Sequence, residues 1–186
     1  MSVYAREDLR LKLLNYSSRF PNEKDKVEKC LSLLEQDLCL DRSFCGDGHF
    51  TTSALILHPD YKNNNLILFT HHKVFNEWYQ LGGHFEDDLD VFESAKREAI
   101  EESGFEELDE ITSEIVDIDV HFIEKNDSKK EGEHYHYDLR FIFLSPDENF
   151  KVSNESHDLK WFSKEDSIEK SPNCVHFWEK IGHFLS

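Results

Sequence analysis

Apolar residues in this chain change their spacing twice, and each change marks a different kind of element. In residues 1–44 the spacing is helical. Tyr4, Leu9, Leu11, Leu13 and Leu14 predict one helix, broken at Phe20-Pro21-Asn22, and Val27, Cys30, Leu31, Leu33 and Leu34 predict a second from Lys24 to Gln36. From His49 the period shortens to that of strands. Residues 52–58 and 66–70, separated by the polar stretch Pro59-Asp-Tyr-Lys-Asn-Asn-Asn65, read as a hairpin, and Trp78-Tyr-Gln-Leu81 leads into Gly82-Gly83. A helical segment follows these glycines. An extended run then covers Ile111 to Ile123, a charged loop covers 124–133, and the clearest strand is Tyr135 to Leu144. On that strand Tyr135, Tyr137, Leu139, Phe141 and Phe143 form the expected core face, opposite His134, His136, Asp138, Arg140, Ile142 and Leu144. Leu159-Lys-Trp-Phe162 predicts a strand, with a short helix from Lys164. A final helix is expected from Asn173 to Leu185, with Val175, Trp178, Ile181, Phe184 and Leu185 on one side. Strands interleaved with helices imply an α/β fold with a mixed sheet between helical layers. Residues 1–44 stand as a helical N-terminal extension and 45–186 as the main domain, and the apolar faces of the extension must pack on that domain or on a second copy of the chain.

The segment between the glycines and Phe105 carries the most chemistry. Asp90 is placed to cap a helix, Glu93 at the third helical position completes a capping-box pattern, and Gly104 stands where a left-handed residue ends it. Val91, Phe92, Ala95 and Ala99 make one apolar stripe at about 100° per residue. Glu102 projects into that stripe, with Glu98 at its edge and Glu101 on the flank. An ionised carboxylate on a buried stripe costs several kcal/mol unless it takes up a proton or a cation holds it. Oxygen-only donors suit Mg²⁺ or Mn²⁺ better than zinc. A solvated acidic face is the competing reading of the same spacing.

The residues themselves favour the metal. Gly83, Arg97, Glu98, Ala99, Glu101, Glu102, Gly104 and Phe105 fall in the register of the Nudix box, so the stretch resembles the signature of Nudix hydrolases. One position departs: Leu89 stands where that family usually has its first Glu, with Glu86, Asp87, Asp88 and Asp90 crowding the same loop. The resemblance covers about residues 48–165. It implies a Nudix-type α/β/α sandwich and metal-dependent hydrolysis of a diphosphate linkage in a nucleoside diphosphate joined to another moiety. It further implies metal ligation by Glu98, Glu101, Glu102 and the Gly82 carbonyl, and a general base from the helix or a later loop. Glu101 is the expected base and Arg97 the residue that orients the carboxylates. Because Leu89 breaks the pattern, a non-catalytic nucleotide-binding protein of the same fold is the alternative. A Nudix-type isomerase of isoprenoid diphosphates would need a catalytic Cys, for which only Cys45 is placed, in an unlike context.

Composition narrows the partners. A formal charge of −18 argues against a nucleic-acid polymer or an anionic membrane, both of which need a surplus of Lys and Arg. A small anionic substrate remains compatible if a metal mediates. No run approaches the roughly 18 apolar residues of a membrane span, and the N-terminus lacks a signal-peptide pattern, so a cytoplasmic protein is expected. Cys30, Cys39, Cys45 and Cys174 show no paired spacing and read as reduced structural thiols. Substrate contacts are expected from His72, Trp78, His84, His136 and Asp138. The aromatics near the glycines could stack on a base or fill the core, and His134-x-His136-x-Asp138 could hydrogen-bond substrate or bind a transition metal. Glu131 and Glu133 could carry a loop carboxylate over the site, or form a solvated charge run.

Overall fold

The computed structural model describes residues 3–36, 48–85, 90–125, 132–172 and 175–185. In chain order the helices are α1 (Val3–Arg19), α2 (Lys24–Leu34), α3 (Tyr61–Asn64), α4 (Val91–Ser103), α5 (Lys164–Lys170) and α6 (Trp178–Ile181). The strands are β1 (His49–Leu57), β2 (Ile67–His72), β3 (Glu77–Tyr79), β4 (Leu81–His84), β5 (Asp109–Ile123), β6 (His134–Leu144) and β7 (Ser156–Phe162). Among the described residues they form one seven-stranded mixed sheet.

Its centre is β1, which runs parallel to β6 from His49↔His136 to Leu57↔Leu144 and antiparallel to β4 over Thr51–Ala54. Strand β5 lies antiparallel beyond β6, while β2 carries β3 and β7. Strand periodicity sorts the apolar residues into two cores. Phe50, Ala54 and Ile56 of β1 join Tyr137, Leu139, Phe141 and Phe143 of β6 under Val91, Phe92, Ala95 and Ala99 of α4. Leu55 and Leu57 join Ile142, Val116, Phe69 and Phe162 under Phe177 and Ile181 near the C-terminus. The sheet is therefore covered on both faces, an α/β/α arrangement.

The two strands expected over residues 52–58 and 66–70 are antiparallel neighbours, but they pair only at the turn. Strands β1 and β2 share one Cα pair, Leu57↔Ile67, because the connection holds a helical turn closed by Asn65 at φ 52° rather than a tight two-residue loop. The glycine strand β4 takes the edge of β1 instead. The expected core face of the clearest strand is also only half of its burial. Asp138, Arg140 and Ile142 on the other face are buried too, whereas Tyr135 is 45% exposed. The C-terminal helix is shorter than expected. It starts at Trp178, and its buried pair is Phe177 and Ile181, while Leu185 lies exposed. Gly182 then tightens the chain into a 3-10 turn, Gly182–Phe184.

The N-terminal helices pack on the sheet. Leu9, Leu13 and Tyr16 of α1, with Val27, Cys30, Leu33 and Leu34 of α2, belong to the same core as Ile115 and Ile118 of β5. Leu11 and Leu14 of the expected α1 stripe are 53% and 46% exposed, so the buried stripe runs at i, i+4 and i+7 from Leu9 instead. Lys12 Nζ donates to the Ser113 carbonyl at 2.8 Å and Lys26 Nζ to that of Ile118 at 3.0 Å, tying both helices to β5. Cys30 is a buried free thiol, and Cys39, Cys45 and Cys174 lie outside the described residues.

Candidate active site

Helix α4 is fixed at both ends by residues chosen for the purpose. The Asp90 carboxylate accepts from the backbone amides of Phe92 at 2.8 Å and Glu93 at 2.9 Å, and Gly104 takes φ 70° as it ends the helix. The reciprocal capping box is seen in α5, between Ser163 and Asp166, and not at Glu93. With its start and phase set, α4 turns Glu102 inward and sets Glu98 beside β4. A Cβ at Gly83 would lie 2.5 Å from the Glu98 carboxyl carbon, so only glycine lets strand and carboxylate approach this closely.

Glu102 is 4% exposed, and one of its oxygens accepts the Gly82 N–H at 3.1 Å. Burial pushes its pKa up to about 8, against the Gly82 hydrogen bond and with help from the charges of Glu98, Glu155 and Glu101. The Glu98 pKa is likewise raised by burial, against the pull of Arg97. Glu101 is the outward member, its side chain 59% exposed. Arg97 reaches Glu98 and Glu101 from one side. It donates to Glu98 Oε1 at 2.8 Å, to Glu101 Oε2 at 3.1 Å and to the His84 carbonyl at 3.4 Å. Leu89, with Glu86, Asp87 and Asp88, lies outside the described residues, and the acceptors named for Arg97 all meet its two terminal nitrogens.

The three carboxylates open onto a cavity of about 170 Å³ whose other walls are Ser153, Asn154 and Glu155. These walls belong to the loop between β6 and β7, which the sequence reading had passed over. Lys73 pins that loop, its backbone amide donating to the Glu155 carbonyl at 3.0 Å and its Nζ to that of Asn154 at 2.7 Å. Glu133, one of the two expected loop carboxylates, is exposed and does not line the cavity, and Glu131 is outside the described residues.

A second polar system fills the sheet face opposite α4. Thr51 and Ser53 hydroxyls donate to Asp138 at 3.2 and 2.8 Å, and the Gln80 amide donates to Asp138 Oδ2 at 3.2 Å. Arg140, 1% exposed, spreads its guanidinium over Asp138, Asp117 and Asp119 at 3.0, 2.9 and 3.2 Å. Lys180 of α6 completes the balance through Asp117, Glu23 and the Tyr16 hydroxyl. Burial works to raise the Asp117 pKa, but Arg140 and Lys180 outweigh it and hold the group below its ordinary value. Further along the same face, His49, His84 and His136 come together from β1, β4 and β6.

Of the expected substrate contacts, His84 and His136 are neighbours, with ring centroids 5.2 Å apart. Trp78 lies elsewhere, stacked on His71 at 4.9 Å, and His72 packs against Phe75 at 4.7 Å. Asp138 is 3% exposed and engaged by four residues.

The family model of the NUDIX domain matches residues 49–177. The chain belongs to the Nudix family. Among solved structures, an Ap4A hydrolase binary complex from C. elegans aligns with a TM-score of 0.53 at 19% identity, covering 73% of this chain and 96% of that one. The dihydroneopterin triphosphate pyrophosphohydrolase of E. coli aligns with a TM-score of 0.56 at 16% identity, covering 72% and 95%. At these identities the likeness establishes the fold. A search of curated proteins finds no match to the chain. The matched region starts at the first strand, after α1 and α2. No helix among the described residues is long and apolar enough to cross a membrane. The family makes the protein a Nudix hydrolase, and α4 with its two glycines is the stretch of the chain that carries the Nudix box.

Proposed function

We propose that this Nudix hydrolase cleaves a diphosphate linkage in a nucleoside diphosphate joined to another moiety, by attack of water at phosphorus. The observation that carries this reading is the convergence of Glu98, Glu101, Glu102 and Glu155 on one cavity, with the two inner carboxylates raised in pKa. Among the described residues Arg97 is the cation that meets these carboxylates, and a divalent cation would neutralise what it leaves. The donor set is all oxygen, which fits Mg²⁺ or Mn²⁺. Glu98, Glu101, Glu102 and the Gly82 carbonyl are the proposed ligands. Such an ion supplies positive charge to the phosphoryl oxygens and acidifies water when bound.

The chain's own residues do the positioning. Arg97 holds Glu98 and Glu101 in fixed orientation by charge-assisted hydrogen bonds. Gly83 leaves the room that Glu98 occupies, and the Gly82 N–H fixes the rotamer of Glu102. Glu101 is the proposed general base, being the most exposed of the helix carboxylates, and Glu155 is its rival from the facing loop. His72, Trp78, His84 and His136 are the proposed substrate contacts. Asp138, expected as a fifth contact, holds the Gln80 amide instead of opening to solvent. The proteins of similar fold that hydrolyse Ap4A or dihydroneopterin triphosphate support a phosphorylated nucleoside-like substrate. A phosphate-release panel of such compounds with Mg²⁺ and Mn²⁺ tests the reading. Activity on at least one of them, lost in Glu98→Gln and in Glu102→Gln, is expected; full turnover in either variant at saturating metal would refute the site.

A further inference from the structure

The acidic cavity uses none of the histidines on the opposite sheet face. Three strands bring three of them together. In the parallel β1–β6 pair His49 stands opposite His136, and in the antiparallel β1–β4 pair His84 stands opposite Thr51, two residues along β1 on the same face. One ring nitrogen from each of His49, His84 and His136 lies within 4.8 Å of the other two. His49 is fully buried, and its ring centroid is 5.2 Å from that of His84 and 4.8 Å from that of His136.

The surroundings favour neutral imidazoles. His121 and His134 lie against the triad as well, so five imidazoles crowd one space and a charge on any of them would repel a second. A neutral imidazole keeps one nitrogen lone pair free to ligate. His134 adds an independent sign. Its Nδ1 lies 2.8 Å from the Gly132 carbonyl, which can only accept, so Nδ1 carries the proton and Nε2 the lone pair. That Nε2 is buried with no hydrogen-bond partner among the described residues, on a ring 3% exposed, stacked 4.8 Å from His49 and 5.0 Å from His136. A buried polar nitrogen left without a partner beside a cluster of imidazoles is a costly arrangement unless a donor or a cation meets it.

We propose that His49, His84 and His136 form a binding site for a late first-row transition ion of the Zn²⁺ class, separate from the carboxylate site of α4. Nitrogen-only donors discriminate against Mg²⁺, which keeps to oxygen, and favour zinc, cobalt or nickel. Tetrahedral zinc with bonds of about 2.0–2.1 Å asks for nitrogens roughly 3.4 Å apart, so the rings need to close by about an ångström. The fourth position falls to a ligand atom from outside the triad, as in zinc sites that keep one place open. In such a site His84 and His136 serve the substrate side as ligands of the ion instead of as direct contacts. The two metal sites meet at one strand: Gly82 and Gly83 face Glu102 and Glu98, while the next residue, His84, turns to the histidines and gives its carbonyl to Arg97.

The test separates the sites by ligand chemistry and does not depend on turnover. The full-length Glu98→Gln/Glu102→Gln protein, in excess Mg²⁺, is titrated with Co²⁺ and then with Zn²⁺. One Co²⁺ per chain is expected, with the intense visible absorption that four-coordinate cobalt gains from lacking a centre of symmetry, and Zn²⁺ should bleach it. X-ray absorption on the zinc-loaded protein should show imidazole scattering from three ligands. In His136→Asn and in His84→Asn, introduced singly and checked by circular dichroism, binding should weaken by about 100-fold or more. Retention of the cobalt band at parental affinity in either histidine variant overturns the proposal, as does an oxygen-only scattering shell. Since the parent here already lacks two of the Glu carboxylates, a failure of the hydrolase reading would leave this result untouched.

Discussion

Two polar systems lie on either side of this sheet, and they treat buried charge in opposite ways. Around Arg140 every charge has a counterpart: Asp117, Asp119 and Asp138 are met by Arg140 and Lys180, and Asp117 and Asp119 have pKa values held below the ordinary range. Around α4, Glu98, Glu102 and Glu155 face one another with Arg97 as the one cation among the described residues that meets them, and burial raises the pKa values of Glu98 and Glu102. The first arrangement is what a fold does with charges it keeps for its own stability. The second stores repulsion that a bound cation would relieve, and it stands beside a cavity.

The contrast breaks most dramatically at Arg140. Replacing Arg140 with Met takes a shared cation from three carboxylates, two of them almost wholly buried, leaving Asp117 with Lys180 alone, and should destabilise the fold by about 3–5 kcal/mol or prevent folding. Urea denaturation followed by circular dichroism measures this, and a midpoint like that of wild type would show that the network is not the paired system described. By the same logic Glu98→Gln and Glu102→Gln should remove most metal-dependent turnover while leaving the urea midpoint unchanged or raised, since each deletes a repelled charge. A loss of stability as large as that of the Arg140 variant would erase the distinction.

Protons sharpen the comparison. Glu102 binds its proton more tightly folded than unfolded, so its contribution to stability is complete below the ordinary Glu pKa and is lost as pH rises toward and through about 8. Asp117 works the other way: its contribution is present above the ordinary Asp value and is lost as pH falls through its lowered folded pKa. Melting temperature should therefore fall between about pH 5 and 8 in metal-free buffer, and Glu102→Gln should flatten that slope. Mg²⁺ at 100 times its dissociation constant should stabilise wild type by about 2.7 kcal/mol and do nothing for the Glu98→Gln/Glu102→Gln double variant. Equal thermal scans with and without EDTA would count against a preformed site. The smallest expected effect is at Leu89. Because Asp90 is spent on the α4 cap and Arg97 already bonds Glu98, Glu101 and the His84 carbonyl, Leu89→Glu should change turnover only a few-fold, within about 1 kcal/mol. A gain of tenfold or more, with no loss in Asp88→Asn, would mean that Arg97 lacks a support that the family's usual Glu supplies.

What could be seen beforehand followed the range of the interactions. The cap at Asp90, the left-handed Gly104 and the inward Glu102 depend on residues within one helix, and each was visible from spacing alone. Glu155 was not, because nothing around Ser153-Asn-Glu155 distinguishes it from any surface loop until β7 folds against β2. The meeting of His49 with His84 and His136 needed the parallel register of β1 on β6 and the displacement of β2 by β4, both long-range choices. Arg140 was visible as a charge on an apolar strand. Its partners Asp117 and Asp119 were not, since β5 slips register at Glu110/Thr112 and again at Thr112/Asp117, and the two-residue count fails across those bulges. The N-terminal helices were legible as helices, and their docking on β5 was one of two open choices.

The junction at Lys180 carries a consequence for how the chain is made. Its ammonium joins Asp117 in the sheet to Tyr16 and Glu23 in the first helices, bridging residues that leave the ribosome at opposite ends of synthesis. Chains emerge at about 5–20 residues per second, so the N-terminal helices wait on the order of ten seconds or more before the cation that finishes their attachment exists. During that interval Asp117 and Glu23 must remain hydrated or share other protons and cations, which keeps the seam between extension and sheet open. The tie that Lys180 makes thus forms long after α1 and α2 are made, and a nascent chain stalled short of residue 180 should leave α1 and α2 more open to protease than the finished chain does.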